Sequence, residues 1–391
     1  MITLLATVFV IGVIVFVHEL GHYLAARSVG VRVEKFSIGF PPRLITMTSV
    51  RGGWDFKIFF FRKDEKGKRV WGPVYKKHIS KHGRKGTQTE YCFALVPLGG
   101  YVKMAGLIDE NLDTKIEHKP YELMSKPRLA QAWVMSAGVI MNVLLALAIY
   151  TGIAYKQGNP IISEEPVIAQ LMEGQPAEAA GLIVGDKIVE INGMPIETWQ
   201  EMTKIIHAIP NTPINLHFER DNLRFEKDIV TSFQPALIDG KIDTLGAIGI
   251  AAQVTYEPIN IFQAMGNGWQ ATKAIFELIG TTLKMLVTGA ANMKDIGGPI
   301  FIAQIAGESA RAGLAPLLFL MAMISVNLAV INILPIPGLD GGHLLVIVIE
   351  SIIRRPLSIK AKMAIQKVGM AFLLVLMITV IVNDIGRLFA N

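Results

Sequence analysis

The sequence predicts a polytopic α-helical membrane protein with a small β-rich module on one side of the bilayer. Three observations carry this: four long apolar runs, a strongly basic stretch between the first two, and an acidic stretch with alternating strands between the second and third. About half the residues are hydrophobic (51%), 18% are charged and the mean hydropathy is +0.43, too apolar for an ordinary soluble chain of 391 residues.

A helix crossing about 30 Å of hydrocarbon needs roughly 20 mostly apolar residues, and each run meets that length. The first, 1–28, reads MITLLATVFVIGVIVFVHELGHYLAARS and carries no charge before Glu19. It lacks the basic start and small-residue cleavage site of a secretory signal, so it reads as a retained span. The second occupies 129–157, the third lies within 314–345 and the fourth within 363–391. The connection 29–128 is basic, with 21 Lys/Arg against 10 Asp/Glu between Arg27 and Arg128. The module 158–257 reverses the balance, 6 against 15, and the short connection 346–362 carries Arg354, Arg355, Lys360 and Lys362. Basic loops stay cytoplasmic, so the alternation places both termini and the acidic module outside and the basic segments inside. The basic excess then reflects sidedness: the lipid bilayer is an expected partner and nucleic acid is not. Within 258–313, residues 258–289 have helical apolar spacing around Trp269 and Phe276, as in a helix lying on the outer surface. The single cysteine, Cys92, excludes an internal disulfide and a cysteine-built metal site.

His18-Glu19-Leu20-Gly21-His22 is an HExxH sequence, and on a helix two histidines four apart project from one face toward one ion. A catalytic zinc takes about three protein ligands and leaves a position for water, whose proton Glu19 can accept and pass to a leaving amide nitrogen. Burying even one ionisable group in an apolar span costs roughly 2.5–3.5 kcal/mol, so three of them demand a compensating partner such as a divalent cation. The obvious third ligand is Asp340, in NILPIPGLDGGH at 332–343, where prolines and glycines free the backbone at membrane depth. His343 competes for that place. His78 and His82 share the i, i+4 spacing but have no glutamate beside them and lie in a basic stretch, which reads as a solvated turn.

HELGH on the first span together with NILPIPGLDGGHL after the third resembles the site-2 protease family of intramembrane metalloproteases, and within it the bacterial regulator-of-sigma-E protease group. PLGGYVKM, Pro97 to Met104, resembles the family's membrane-associated β-hairpin; KPRLAQAWVMSAGVIMN, Lys126 to Asn142, its approach to the second span; GGPIFIAQ, Gly297 to Gln304, the segment before the third. The resemblance implies one Zn2+ per chain held by His18, His22 and Asp340, with Glu19 as catalytic base. It further implies substrate contacts from Asn142, Asn332 and the strand Gly99, Gly100, Tyr101, Val102 and Lys103. Substrates would be single-span membrane proteins already cut outside the membrane, such as an anti-sigma factor or a signal-peptide remnant, and the location a bacterial inner membrane. Two features depart from the family pattern. Val139 follows Ala137-Gly138 where relatives have proline, and a basic, aromatic insertion occupies Arg51 to Thr87. That insertion reads equally as a lipid-facing surface or as a solvated loop.

In the acidic module, Gly-Asp and Asn-Gly turns with β-branched alternation predict a small α/β domain. From Ala179-Ala180-Gly181-Leu182 to Asn192-Gly193 it resembles a PDZ domain, with Trp199 opening its helix. Such a domain can bind a peptide at a sheet edge or, as the family resemblance implies, act as a size filter on the extracytoplasmic side. The rival readings are a non-enzymatic membrane scaffold, for which Glu19 is dispensable, and a membrane protease cutting soluble segments with a glutamate ligand, for which Asp340 is.

Overall fold

The computed structural model describes residues 1–63, 67–83, 85–107, 117–238, 241–289 and 297–390. Parts of the basic insertion (64–66 and 84) and of the segments 29–128, 158–257 and 258–313 therefore lie outside the described residues, as does residue 391. Two compact units result, one formed by 1–153 with 265–391 and the other by 154–264.

The first unit opens with α1 (Ile2–Ser28), whose buried positions Ala6, Val10, Ile14, His18, His22 and Ala26 recur every four residues along one side. Four strands follow: β1 (Val33–Val50), β2 (Gly53–Lys63), β3 (Arg69–Ser80) and β4 (Glu90–Met104). They form one sheet in the order β3-β2-β1-β4, which leaves β4 at an edge. The β1–β2 connection is the pair Arg51-Gly52, and Gly52 at φ 86° supplies the left-handed conformation that a tight hairpin needs. The insertion expected as a loop or surface is thus a paired hairpin, because WDFKIFFF and VWGPVYKKHIS are rich in aromatic and β-branched residues.

The second long helix, α2 (Arg128–Gln157), buries Val134, Gly138, Asn142, Ala146 and Tyr150 in a second four-residue stripe. A Cβ on Gly21 would stand 2.5 Å from the Ala137 carbonyl and 2.7 Å from Met141 Cγ, so α1 and α2 approach closely at the HExxH turn.

The acidic module forms the second unit: β5 (Asn159–Ile162), β6 (Ile168–Leu171), α3 (Pro176–Ala179), β7 (Lys187–Ile191), β8 (Met194–Pro195), α4 (Trp199–His207), β9 (Pro213–Arg220), β10 (Leu223–Val230), β11 (Ser232–Ile238), β12 (Lys241–Ala247), β13 (Ile250–Ala252) and β14 (Val254–Glu257). Its main sheet runs β10-β9-β7-β8 over a core containing Ile188, Ile191, Met202, Leu216 and Phe218. The α4 start carries a full capping box between Thr198 and Glu201. Fully buried Asp186 is gripped by Arg220 (Nε to Oδ1 2.7 Å, an Nη to Oδ2 2.8 Å) and by the Ile183 N–H at 2.9 Å.

The chain continues through α5 (Ile261–Thr288), α6 (Pro299–Ala312), α7 (Leu314–Ile333), α8 (Asp340–Ile352) and α9 (Ile359–Ala390). Among the described residues, four helices are long and apolar enough to cross a membrane: α1, α2, α7 and α9. The segment 314–345 is not one helix. Pro335 forces Leu334 out of the helical region (ψ 143°), Gly338 takes φ 99°, and α8 starts afresh at Asp340. Residues 346–352, expected in a loop, are helical because LLVIVIESI continues α8 as an apolar run up to Ile352. Asp384 of α9 caps α6, accepting from the Gly298, Ile300 and Phe301 N–H groups at 2.9, 2.9 and 3.2 Å.

Candidate metal centre

His18 and His22 face α2 from the last third of α1, and both are buried. The broken segment after α7 delivers Asp340 to the same point: its Oδ2 lies 3.2 Å from Nε2 of each histidine, and the two Nε2 atoms are 3.2 Å apart. Gly341 and Gly342 make this possible, since a Cβ on either would strike the Ile333, Leu334 or Ile336 carbonyls. Three donor atoms at mutual distances of 3.2 Å match the edge of a tetrahedral site, about 3.3–3.4 Å for zinc bonds of about 2.0–2.1 Å.

The hydrogen bonds around the trio fit a cation between them. His22 Nδ1 donates to the Val134 carbonyl at 2.8 Å, so in the neutral ring Nε2 carries its lone pair toward the centre. Asp340 Oδ2 is buried and has no hydrogen-bond partner. Lone pairs of two imidazoles and a carboxylate, converging with no donor nearer than the Asn332 amide at 3.5 Å from His18 Nε2, repel one another unless a positive ion lies among them. Gly138 keeps the space open: a Cβ there would stand 2.6 Å from His18 Cε1 and His22 Nε2 and 2.7 Å from His18 Nε2.

Glu19 borders the same cluster. The Val102 backbone amide of β4 hydrogen-bonds to it, and a Cβ on Gly100 would lie 3.7 Å from its Cγ. The strand Gly99 to Lys103 pairs on one side with β1, in the register Lys35 with Lys103, Phe36 with Val102 and Ser37 with Tyr101.

Asn142 is fully buried with Nδ2 3.2 Å from His18 Nδ1, while its own Oδ1 has no partner. Turning the amide over lets Oδ1 accept the Nδ1–H of His18, which leaves His18 Nε2 free as a ligand atom. Asn332 approaches His18 Nε2 to 3.5 Å. His343 is not among the convergent donors; it lines a cavity with Gln131, Glu350, Lys362 and Gln366. His78 sits on β3, not in a turn, and pairs with Asp55 at 2.7 Å. Sequence reasoning missed Gly138 and the Val134 carbonyl, whose only trace was a glycine inside an apolar helix four residues before Asn142.

The sequence profile described as Peptidase family M50 matches residues 6–63 and 75–376. The chain belongs to this family. It is a zinc metalloprotease of the site-2 type, a multi-pass membrane protein. A Clostridium perfringens protein carrying a provisional zinc metalloprotease name is 32% identical over 95% of each chain. The zinc metalloprotease RasP of Bacillus licheniformis is 28% identical over 99% of each. Among solved structures, the PDZ domain of an SdrC-like protein from Listeria innocua aligns at 23% identity over 25% of this chain and 100% of that one, with a TM-score of 0.20.

Proposed function

We propose that this M50 peptidase cuts inside the membrane, within the transmembrane segment of single-span proteins whose external domain has already been removed. The observation that supports it is the convergence of His18 and His22, on a helix of membrane-crossing length, with Asp340, which opens the short helix after another such helix, beside the edge strand β4. These three residues would hold one zinc. When bound, the ion supplies Lewis-acid polarisation of a peptide carbonyl and a water that ionises near neutral pH.

The chain's own residues do the rest. Glu19 takes a proton from the attacking water and delivers it to the leaving amide nitrogen. A helical substrate has its carbonyls tied in i to i−4 bonds and must be unwound first. The strand Gly99–Lys103 offers backbone groups for an extended segment, with Tyr101 and Val102 at the centre of that edge and Asn332 as a further polar contact. Asn142 acts on His18, fixing its tautomer and ring plane, as the Val134 carbonyl does for His22. The acidic PDZ-like module, on the extracytoplasmic side of a bacterial inner membrane, filters substrates by the size of what remains outside. Anti-sigma factors and signal-peptide remnants are the substrate classes that fit.

The test is cleavage of a reconstituted, pre-trimmed single-span substrate by the wild type and by Glu19→Gln. The variant should lose activity on the order of 10²- to 10⁴-fold while retaining zinc. Equal cleavage by both places the base elsewhere, and cleavage by neither, across varied substrates, favours the scaffold.

A further inference from the structure

The protease reading leaves the basic hairpin β2–β3 unused, and the family profile skips residues 64–74, which include the first half of β3. Directly paired residues in a sheet share a face. Ile45 pairs with Ile58 and with Phe93, and Ile58 with Tyr75; Met47 and Phe60 lie two residues along from Ile45 and Ile58 on the same face. These six side chains are between 37% and 58% exposed. The opposite face carries Thr46, Thr48, Asp55, Lys57, Lys76 and His78 along most of its length and the aromatic residues Phe59, Phe61 and Trp71 at the far ends of β2 and β3. Single exposed apolar residues are ordinary, but one continuous apolar face across four strands marks an interaction surface.

Charge and position identify the partner. Residues 51–87 hold 12 Lys/Arg against 3 Asp/Glu, and Arg62 and Lys77 flank the apolar stripe on its own face. Long basic side chains can lay their stems on apolar surface and send their charges to phosphates, while aromatic rings suit the water–lipid boundary. The sheet is also tied to a helix of membrane-crossing length: β1 starts at Val33, shortly after α1 ends at Ser28, and Phe36 packs edge-on against Phe16 and Tyr23 at ring separations of 5.9 and 5.4 Å.

We propose that the apolar face of the β3-β2-β1-β4 sheet rests on the anionic surface of the bilayer that the helices cross, with Arg62 and Lys77 on lipid phosphates. This rests on the membrane reading above. It assigns the insertion a lipid partner and makes the depth of the β4 edge, beside Glu19, depend on lipid charge.

The test uses the full chain with Cys92→Ser, spin-labelled at Phe60→Cys, His78→Cys or Leu374→Cys, in nanodiscs of phosphatidylcholine alone or mixed with phosphatidylglycerol. Collision with oxygen reports lipid and collision with a nickel chelate reports water. Position 60 should favour oxygen severalfold more than position 78 on the opposite face. That preference should grow with phosphatidylglycerol and shrink when Arg62→Gln and Lys77→Gln are combined. Equal nickel access at 60 and 78, shielding of 60 from both probes as by a second copy, or indifference to lipid charge would each overturn the proposal. Position 374, on an exposed site of α9, should report lipid in every case; water access there would instead defeat the membrane reading itself.

Discussion

Helix α8 carries two carboxylates, Asp340 at its start and Glu350 near its end, and their surroundings differ in kind. Glu350 is 2% exposed and meets two cations of its own chain, Arg128 and Lys362 (the latter at 2.7 Å), as well as the Leu357 N–H at 2.8 Å. Asp340 Oδ2 meets two imidazole nitrogens and no hydrogen-bond donor. A buried carboxylate provided with cations by its own chain is structural, whereas one that faces only other lone pairs leaves a positive charge to be supplied from outside.

The comparison breaks most sharply at Asp340. Asp340→Ala should reduce zinc from one per chain to background by elemental analysis and abolish cleavage, with helix content unchanged by circular dichroism. Near-normal zinc would remove Asp340 from the ligand set and revive a glutamate ligand. Gly138→Ala comes next, because its methyl group would enter the space between the rings. Overpacking typically costs about 1–3 kcal/mol, so zinc affinity should fall about 10- to 100-fold in competition with a chelator. Unchanged affinity would mean that the rings do not point where the structure has them.

Asn142→Ala sharpens the contrast further. Loss of a partner that orients a metal-bound histidine costs about 10- to 100-fold in affinity, and we expect the lower end because His22 and Asp340 keep their own positions. Asn142→Asp, which still accepts the Nδ1–H, should recover most of it. If Asn142 only contacts substrate, zinc affinity will not move and the Michaelis constant will rise alone.

Much of this was legible in the sequence, and the limits have physical causes. HELGH sits on one helix, so a period of 3.6 residues suffices to place His18 and His22 together. Asp340 could be chosen because ionisable groups at membrane depth are few and because Pro335, Pro337 and Gly338 announce a broken helix. The role of Asn142 was not legible, since a buried asparagine reads the same whether it meets a substrate or a histidine on another helix. Gly138 was silent for a similar reason: what matters there is the absence of a Cβ beside rings more than 100 positions away. The strands of the basic insertion were obscured by charge, which suggested a loop although aromatic alternation ran through it.

The smallest effect on the metal, and the one that completes the comparison, belongs to Glu350. Glu350→Gln should leave zinc content unchanged but lower the thermal midpoint. Removing one partner of a fully buried pair costs about 3–5 kcal/mol; here roughly 1–3 kcal/mol is expected, because Arg128 remains about a third exposed and screened by solvent. Burial acts to raise the Glu350 carboxyl, yet the hydrogen bonds from Lys362 and the Leu357 N–H and the charges of Lys362 and Arg128 more than offset it and hold it below the usual carboxylate range. A carboxyl whose value is lowered on folding contributes its stability above its unfolded value, about 4.3, and loses that contribution as pH falls from there through the folded value. The wild type should therefore lose thermal stability in that acidic window by more than the Gln variant does, and parallel profiles would show that Glu350 is not the staple between α2, α8 and α9 that its contacts describe.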